Sequence, residues 1–196
     1  MIQKYKDNLM LFEEMRDVPE DLETHWICVP VPVGKRCLLI SAQQNTMSRL
    51  KNGTLIENFK SLLPGGGGRK KDPIKDYCLL DCILSDQTLS YYVLDLMVWK
   101  GQMYYDCESE FRFFWAQSKL SEEEGLDEIS DRNQLKIVPL PRFGCDKKGL
   151  QEALKRVYPF MLAGFLLYHK EAYYTFDSTP LACSASVQML QKILEK

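Results

Sequence analysis

A chain of 196 residues can bury one full core but is short for two, and its 45% hydrophobic and 27% charged residues exclude the composition of a disordered segment. With 25 basic and 27 acidic residues the formal charge is −2, which excludes a general duplex-binding surface and restricts any nucleic-acid contact to a local patch. No apolar run approaches the ~20 residues that span a bilayer, and Met1-Ile-Gln-Lys-Tyr-Lys lacks the apolar stretch of a signal peptide, so the expectation is one intracellular domain, residues 1–196, without a membrane partner.

Along the chain, Val29 to Val33 alternates valine and proline, and Arg36 to Ala42 is a compact apolar run. These predict two strands joined by a turn at Gly34, with Pro30 and Pro32 marking an edge position because proline has no N–H to donate. Thr54 to Phe59 predicts a short strand. Pro64 and the run Gly65 to Gly68, followed by Arg69, Lys70 and Lys71, predict a mobile basic loop. Tyr77 to Leu84 and Leu89 to Trp99, separated by Ser85-Asp86-Gln87-Thr88, are the clearest hairpin signal and belong at the centre of a sheet.

Phe111, Phe114, Trp115 and Leu120 recur near the helical period and predict a helix over Cys107 to Leu120 that buries them. Leu135 to Leu140 predicts a strand, and Lys147 to Val157 a helix with Leu150, Leu154 and Val157 on one face. Leu162 to His169 and Ala172 to Phe176 predict a second hairpin around Lys170-Glu171, and Ser184 to Lys196 a final helix. The expected class is α+β, mostly antiparallel sheets with flanking helices.

The seven cysteines are odd in number and lack a paired C-x-x-C framework, so they predict reduced thiols and no metal; Cys78 and Cys82 fall on one strand face as small buried hydrophobes. The glycine run has neither the spacing of a nucleotide P-loop nor its following Ser or Thr, which favours a flexible loop over a phosphate cradle. His25 and His169 sit in no catalytic or metal-ligand spacing. Trp26, Trp99 and Trp115 predict core packing. Asp81 and Asp95 lie inside the two hairpin strands, where a carboxylate is costly unless bonded; they predict hydrogen-bonding roles and no metal.

Several long runs carry a resemblance: Ser61-Leu-Leu-Pro-Gly-Gly, Lys75-Asp-Tyr-Cys-Leu-Leu-Asp-Cys-Ile, Tyr91-Tyr-Val-Leu-Asp-Leu-Met-Val-Trp-Lys-Gly, Tyr105-Asp-Cys-Glu-Ser-Glu-Phe-Arg-Phe-Phe-Trp and Ser118-Lys-Leu-Ser-Glu-Glu-Glu-Gly-Leu. Together they resemble the snurportin family over about Met10 to Leu181. The resemblance implies a fold related to the nucleotidyltransferase domains of RNA capping enzymes and DNA ligases. It also implies a non-enzymatic reader of the trimethylguanosine cap of spliceosomal small nuclear RNA, without a cofactor, acting in nuclear import of small nuclear ribonucleoproteins. Export and import receptors are partners of the full-length family, and shuttling between cytoplasm and nucleus is expected. The family's importin-β-binding segment precedes this domain and is absent from the present sequence, so engagement of importin-β by that route is not expected.

Against the transferase motifs, Val31-Pro-Val-Gly-Lys-Arg resembles the stretch that opens on a nucleophilic lysine, with Val31 in its place. Leu80-Asp81-Cys82 resembles the third motif without its Gly and Glu, and Ala163-Gly-Phe-Leu-Leu the fourth without its acid. Valine cannot form a phosphoramidate, which argues against nucleotidyl transfer. For the cap, the resemblance implies contacts from the segment holding Phe12, from the turn Gly34-Lys35-Arg36, and from Lys51 on the phosphates. Where the family has two tryptophans this chain has Glu14 and Ser184. That leaves an alternative: a domain that keeps the fold for protein interaction without cap recognition.

Overall fold

Runs as apolar as Tyr77–Ser85 and Ser90–Trp99 need cover on both faces of a sheet. The computed structural model, which describes residues 5–70, 73 and 75–195, supplies that cover by stacking two sheets. In chain order the elements are β1 (Leu11–Glu14), α1 (Leu22–His25), β2 (Trp26–Pro32), β3 (Lys35–Ala42), β4 (Asn45–Arg49), β5 (Leu55–Phe59), β6 (Tyr77–Ser85), β7 (Ser90–Trp99) and β8 (Gln102–Met103). They continue with α2 (Ser109–Ser121), β9 (Lys136–Pro139), β10 (Phe143–Gly144), α3 (Lys147–Lys155), β11 (Leu162–His169), β12 (Ser178–Ala185) and α4 (Val187–Leu194).

The first sheet has the order β1-β12-β11-β2-β10, and the second β5-β4-β3-β6-β7-β8 with β9 beside β7. All pairings are antiparallel except β1 with β12 and β7 with β9. The class is therefore α+β with mostly antiparallel sheets, as the sequence predicts.

Side-chain alternation distributes each strand between layers. On β2, Ile27 and Val29 enter the layer between the sheets with Leu38, Ile40 and Leu166, whereas Trp26 and Cys28 face outward to Leu150, Ala153 and Leu190 of α3 and α4. On β3 and β6, Cys37, Leu39, Cys78, Leu80 and Cys82 pack toward Ala116 and Leu120 of α2. Cys78 and Cys82 do share a face, and all seven cysteines are free. Trp26 and Trp99 are buried, and the half-buried Trp115 packs against the same cluster as Trp99.

Several expectations are corrected. The partner of β11 is β12 and not Ala172 to Phe176, which is drawn off the sheet because Tyr174 sends its hydroxyl to buried Asp81. The final helix starts after Ser186, whose hydroxyl accepts from the Met189 N–H at 3.1 Å; Ser184 belongs to β12. The helix α3 stops at Lys155, so Val157 lies beyond it at 92% exposed. On α2 the buried face carries Arg112, Phe113 and Ala116, while Phe111 and Phe114 are exposed. Arg112 turns inward because it neutralises Asp95. The glycine run is no mobile loop: Gly65, Gly66 and Gly68 are buried, and Ser61 brackets the turn by donating its N–H to Gly66 and accepting from Gly68. Lys71 lies outside the described residues. As for Pro30 and Pro32, β10 covers β2 only at Ile27 and Cys28, so both prolines sit where β2 has β11 on one side and a free edge on the other.

Candidate functional site

The turn between β2 and β3 carries the chain from one sheet to the other at the mouth of the inter-sheet layer. Gly34 makes that passage possible: a Cβ there would stand 2.3 Å from the Leu84 carbonyl oxygen and 2.8 Å from Ile83 Cγ2. Beneath the turn lies a cavity of about 320 Å³, walled by Phe12, Val31, Gly34, Arg36, Ala163 and Leu166 among others. Next to it is a second hollow of about 440 Å³ that shares Val31, Ala163 and Leu166 and adds Glu14, Ser184 and Ser186. The two form one cleft along the edge where the sheets part.

Arg36 is the anchored group of this cleft. Its Nε donates to Asp81 Oδ1 at 3.0 Å and its Nη2 to Oδ2 at 2.6 Å, a bidentate fork. Burial works against the guanidinium charge, but attraction to Asp81 and the hydrogen bonds it accepts override that, and the pKa stays above the ordinary arginine value. Asp81 also accepts from the Tyr174 hydroxyl at 2.8 Å, which in turn accepts the Met10 N–H at 3.0 Å. This chain of bonds ties the leading segment to the second sheet and positions Phe12. The Phe12 ring then lies under the Arg36 guanidinium at 4.2 Å and meets the edge of Tyr168 at 5.5 Å. The result is a planar cationic platform over an aromatic one, a surface on which a nucleobase can stack.

Of the five residues singled out in the sequence, Phe12, Gly34 and Arg36 meet in this cleft, and Lys35 and Lys51 are not part of its wall. Lys35 points to solvent and pairs with exposed Asp86 at 3.0 Å, a contact worth little in water. Lys51 is exposed in the turn between β4 and β5, and its carbonyl accepts the Asp7 N–H at 2.8 Å, beside the leading segment.

The positions matching transferase motifs also gather here. Val31 and Ala163 share the cleft wall, and the pairing of β11 with β2 slips at Ala163. Asp81 is occupied by Arg36 and Tyr174. No group of three or more His, Cys, Asp or Glu residues is arranged to hold a metal ion among the described residues. His25 and His169 do come together, rings stacked at 5.9 Å, with His169 Nε2 3.2 Å from Asp21 Oδ2; they lie outside the cleft wall and tie α1 to the end of β11.

Sequence reasoning missed Asp81 as the partner of Arg36, 45 positions distant, and Tyr174 as the partner of Asp81, 93 positions distant, since only the folded chain brings them together. It also missed that Glu14 and Ser184 are partners in the parallel pairing of β1 with β12.

Among solved structures the chain is similar to the ligase domain of M. tuberculosis LigD, with a TM-score of 0.57 at 12% identity over 92% of this chain and 60% of that one. It is similar to a Lig E DNA ligase (0.55, 14%, 91% and 68%) and to the Chlorella virus DNA ligase-adenylate (0.56, 13%, 91% and 67%). At these identities the likeness is one of fold, and the chain spans about 60% of the length of the first of these ligases. A family model described as "Snurportin1, m3G cap-binding domain" matches residues 8–184. With that match running over nearly all of its length, the chain belongs to the snurportin m3G cap-binding domain family.

Proposed function

We propose that the cleft between the two sheets binds the methylated guanosine cap of RNA, and that the chain serves without catalysis as an adaptor for nuclear import of trimethylguanosine-capped small nuclear ribonucleoproteins. The observation that carries this reading is the meeting of Phe12 with Gly34 and Arg36, from two segments distant in sequence, around one cavity. A base methylated at N7 is cationic and polarisable, and a stacking partner is worth ~1–3 kcal/mol. Phe12 and the Arg36 plane supply the stacking surface. Lys51 and Lys35, both exposed, would supply the positive charge that meets the phosphates outside the cleft wall.

Nucleotidyl transfer needs an amine to attack the α-phosphorus and form a P–N bond. In this chain the matching position is the aliphatic Val31, and the neighbouring motif residue Ala163 has no carboxylate. Titration with trimethylated and monomethylated cap dinucleotides tests the binding, and incubation with labelled ATP or GTP and a divalent metal tests the absence of transfer. Saturable cap binding without a lysine-linked nucleotide adduct is expected. Failure to bind any cap analogue would favour a domain that keeps the fold for protein interaction.

A further inference from the structure

We infer that the cavity beside α2 and β10 binds the single-stranded RNA that follows the cap, taking a phosphate between Arg142 and Lys170 and stacking a base on Phe114. This rests on the cap-binding reading above and extends it from the cap to the strand that carries it.

The cavity has a volume of about 480 Å³, with Ile27 of β2, Gly144 of β10 and Phe113 of α2 in its wall. Arg142, in the link from β9 to β10, is the charged group set into that wall. Its Nη1 donates to the Leu140 carbonyl and its Nη2 to the Leu94 carbonyl at 2.7 Å, and the guanidinium lies over the Phe113 ring at 4.7 Å. None of these partners carries a negative charge, and the buried Nε–H finds no acceptor among the described residues. Arg36 and Arg112, each beside its own aspartate, keep pKa values above the ordinary one. For Arg142 burial prevails, only partly offset by the Asp95 charge, and draws the pKa down to about 10. A buried cation held by neutral dipoles is costly, and an anion in the cavity would relieve that cost.

Lys170 adds a second cation to the same wall. Its pairing with Glu110 is loose, at 3.7 Å to an exposed carboxylate, so the wall holds two cations to one anion. Phe114 lines the cavity while 67% exposed, and Gln117 stands three positions further along α2. An open ring and an amide next to cations suit a nucleotide, which has a face to stack, an edge to bond and a phosphate to neutralise. An acidic side chain would use the cations alone.

Two links join this cavity to the cap cleft. Ile27 in one and Val31 in the other lie on the same face of β2, about 13 Å apart at ~3.3 Å per residue, which a few nucleotides of single strand can cover. Leu94, whose carbonyl Arg142 holds, also lines the cap cavity.

The test is calorimetric titration of the parent chain and of its Phe114→Ala and Lys170→Gln variants with a trimethylated cap dinucleotide, the same cap on pentauridylate, and uncapped pentauridylate. Both side chains reach solvent and neither lines the cap cleft, so the variants keep the fold and bind the dinucleotide as the parent does. The capped pentauridylate should bind the parent roughly five- to hundredfold more tightly than the dinucleotide. Phe114→Ala should remove most of that gain, and Lys170→Gln should reduce it and lower the slope of log affinity against log salt by about 0.7. Equal affinity for dinucleotide and capped pentauridylate, or a gain that both variants leave intact, would overturn the inference and leave the cap-binding reading standing. Hexaglutamate binding that depends on Lys170, with no gain from RNA, would mark a protein-binding surface and overturn it too. Phe114-dependent binding of uncapped pentauridylate without any cap binding would overturn the cap reading and support this cavity as an RNA site.

Discussion

Asp81 of β6 and Asp95 of β7 are register partners, so two fully buried carboxylates stand opposite each other in the second sheet. Like charges directly opposite on paired strands repel, and each aspartate is accordingly held by its own arginine. Arg36 serves Asp81, and Arg112 donates from Nε and Nη2 to Asp95 at 2.9 and 2.8 Å. Burial opposes the charge on Arg112 as well, and Asp95 more than restores it.

The two pairs differ in access to water, which orders their mutants. The Arg36 side chain is 25% exposed and Arg112 is wholly buried. Asp95→Asn therefore leaves a buried guanidinium without its counter-charge and should cost about 3–5 kcal/mol. Asp81→Asn lets Arg36 turn to solvent and should cost about 1–3 kcal/mol while loosening Phe12 in the cleft. Urea denaturation of both variants measures the difference. Equal losses would mean that the Arg36 pair is as enclosed as the other.

Alkaline pH should act through the buried thiols. Burial pushes Cys78 up to about 11 and Cys145 to about 12, and burial with the nearby Asp81 charge pushes Cys37 to about 12. In the unfolded chain these groups ionise near 9, so between pH 9 and about 12 the unfolded state binds fewer protons than the native one. Stability is thus fully present below pH 9 and falls above it, by about 1.4 kcal/mol per pH unit for each thiol. Denaturation curves at pH 7, 8 and 10 should coincide for the first two and shift for the third. Thiol labelling at pH 8 should modify half-buried Cys107 first, and the six buried cysteines only at the rate of unfolding.

The hairpin of β6 and β7 was legible because its strands are apolar on both faces over a long run. Strand β4 was not. Its sequence Asn45-Thr-Met-Ser-Arg buries Thr46 and Ser48, whose hydroxyls are matched by Ser61 and Tyr91 at 2.7 Å, so a polar pentapeptide behaves as a core strand. Strand β12 hid behind small residues, since Ala182, Cys183 and Ala185 give a weak apolar signal. On α2 the periodicity pointed to Phe111 and Phe114, and the demand of Asp95 for Arg112 rotated the helix away from it. In the site, Phe12, Gly34 and Arg36 could be named from resemblance. That Arg36 is held by Asp81 follows only from the register that pairs Leu38 with Asp81, two residues along the same face of β3.

Charge at the cleft exit gives a separate handle. Lys51 is exposed beside the leading segment and outside the cavity wall, so its contribution to cap binding would be electrostatic and not steric. Lys51→Ala should weaken every capped or triphosphate ligand by a similar factor and lower the slope of log affinity against log salt by about one. Titrations of 7-methylGTP at several salt concentrations check this. An unchanged slope would place the phosphates elsewhere on the surface.

The partnership of Glu14 with Ser184 leads to a gain-of-function prediction. Ser184 is half-buried, lines the hollow beside Val31 and Ala163, and among the described residues makes one side-chain hydrogen bond, to the Glu13 carbonyl at 3.3 Å, so little is lost by replacing it. Ser184→Trp would set an indole against the aliphatic wall, where it could cover a base resting on the Phe12 and Arg36 platform. Stacking of ~1–3 kcal/mol corresponds to roughly a five- to hundredfold gain in affinity. Because the indole contacts the face of the base, the gain should appear for 7-methylGTP and trimethylGTP alike, leaving their ratio unchanged. The salt dependence should also stay as in the parent chain, since no charge is added. A gain confined to trimethylGTP would instead mean that the indole packs on the N2 methyl groups, placing the guanine edge toward Ser184.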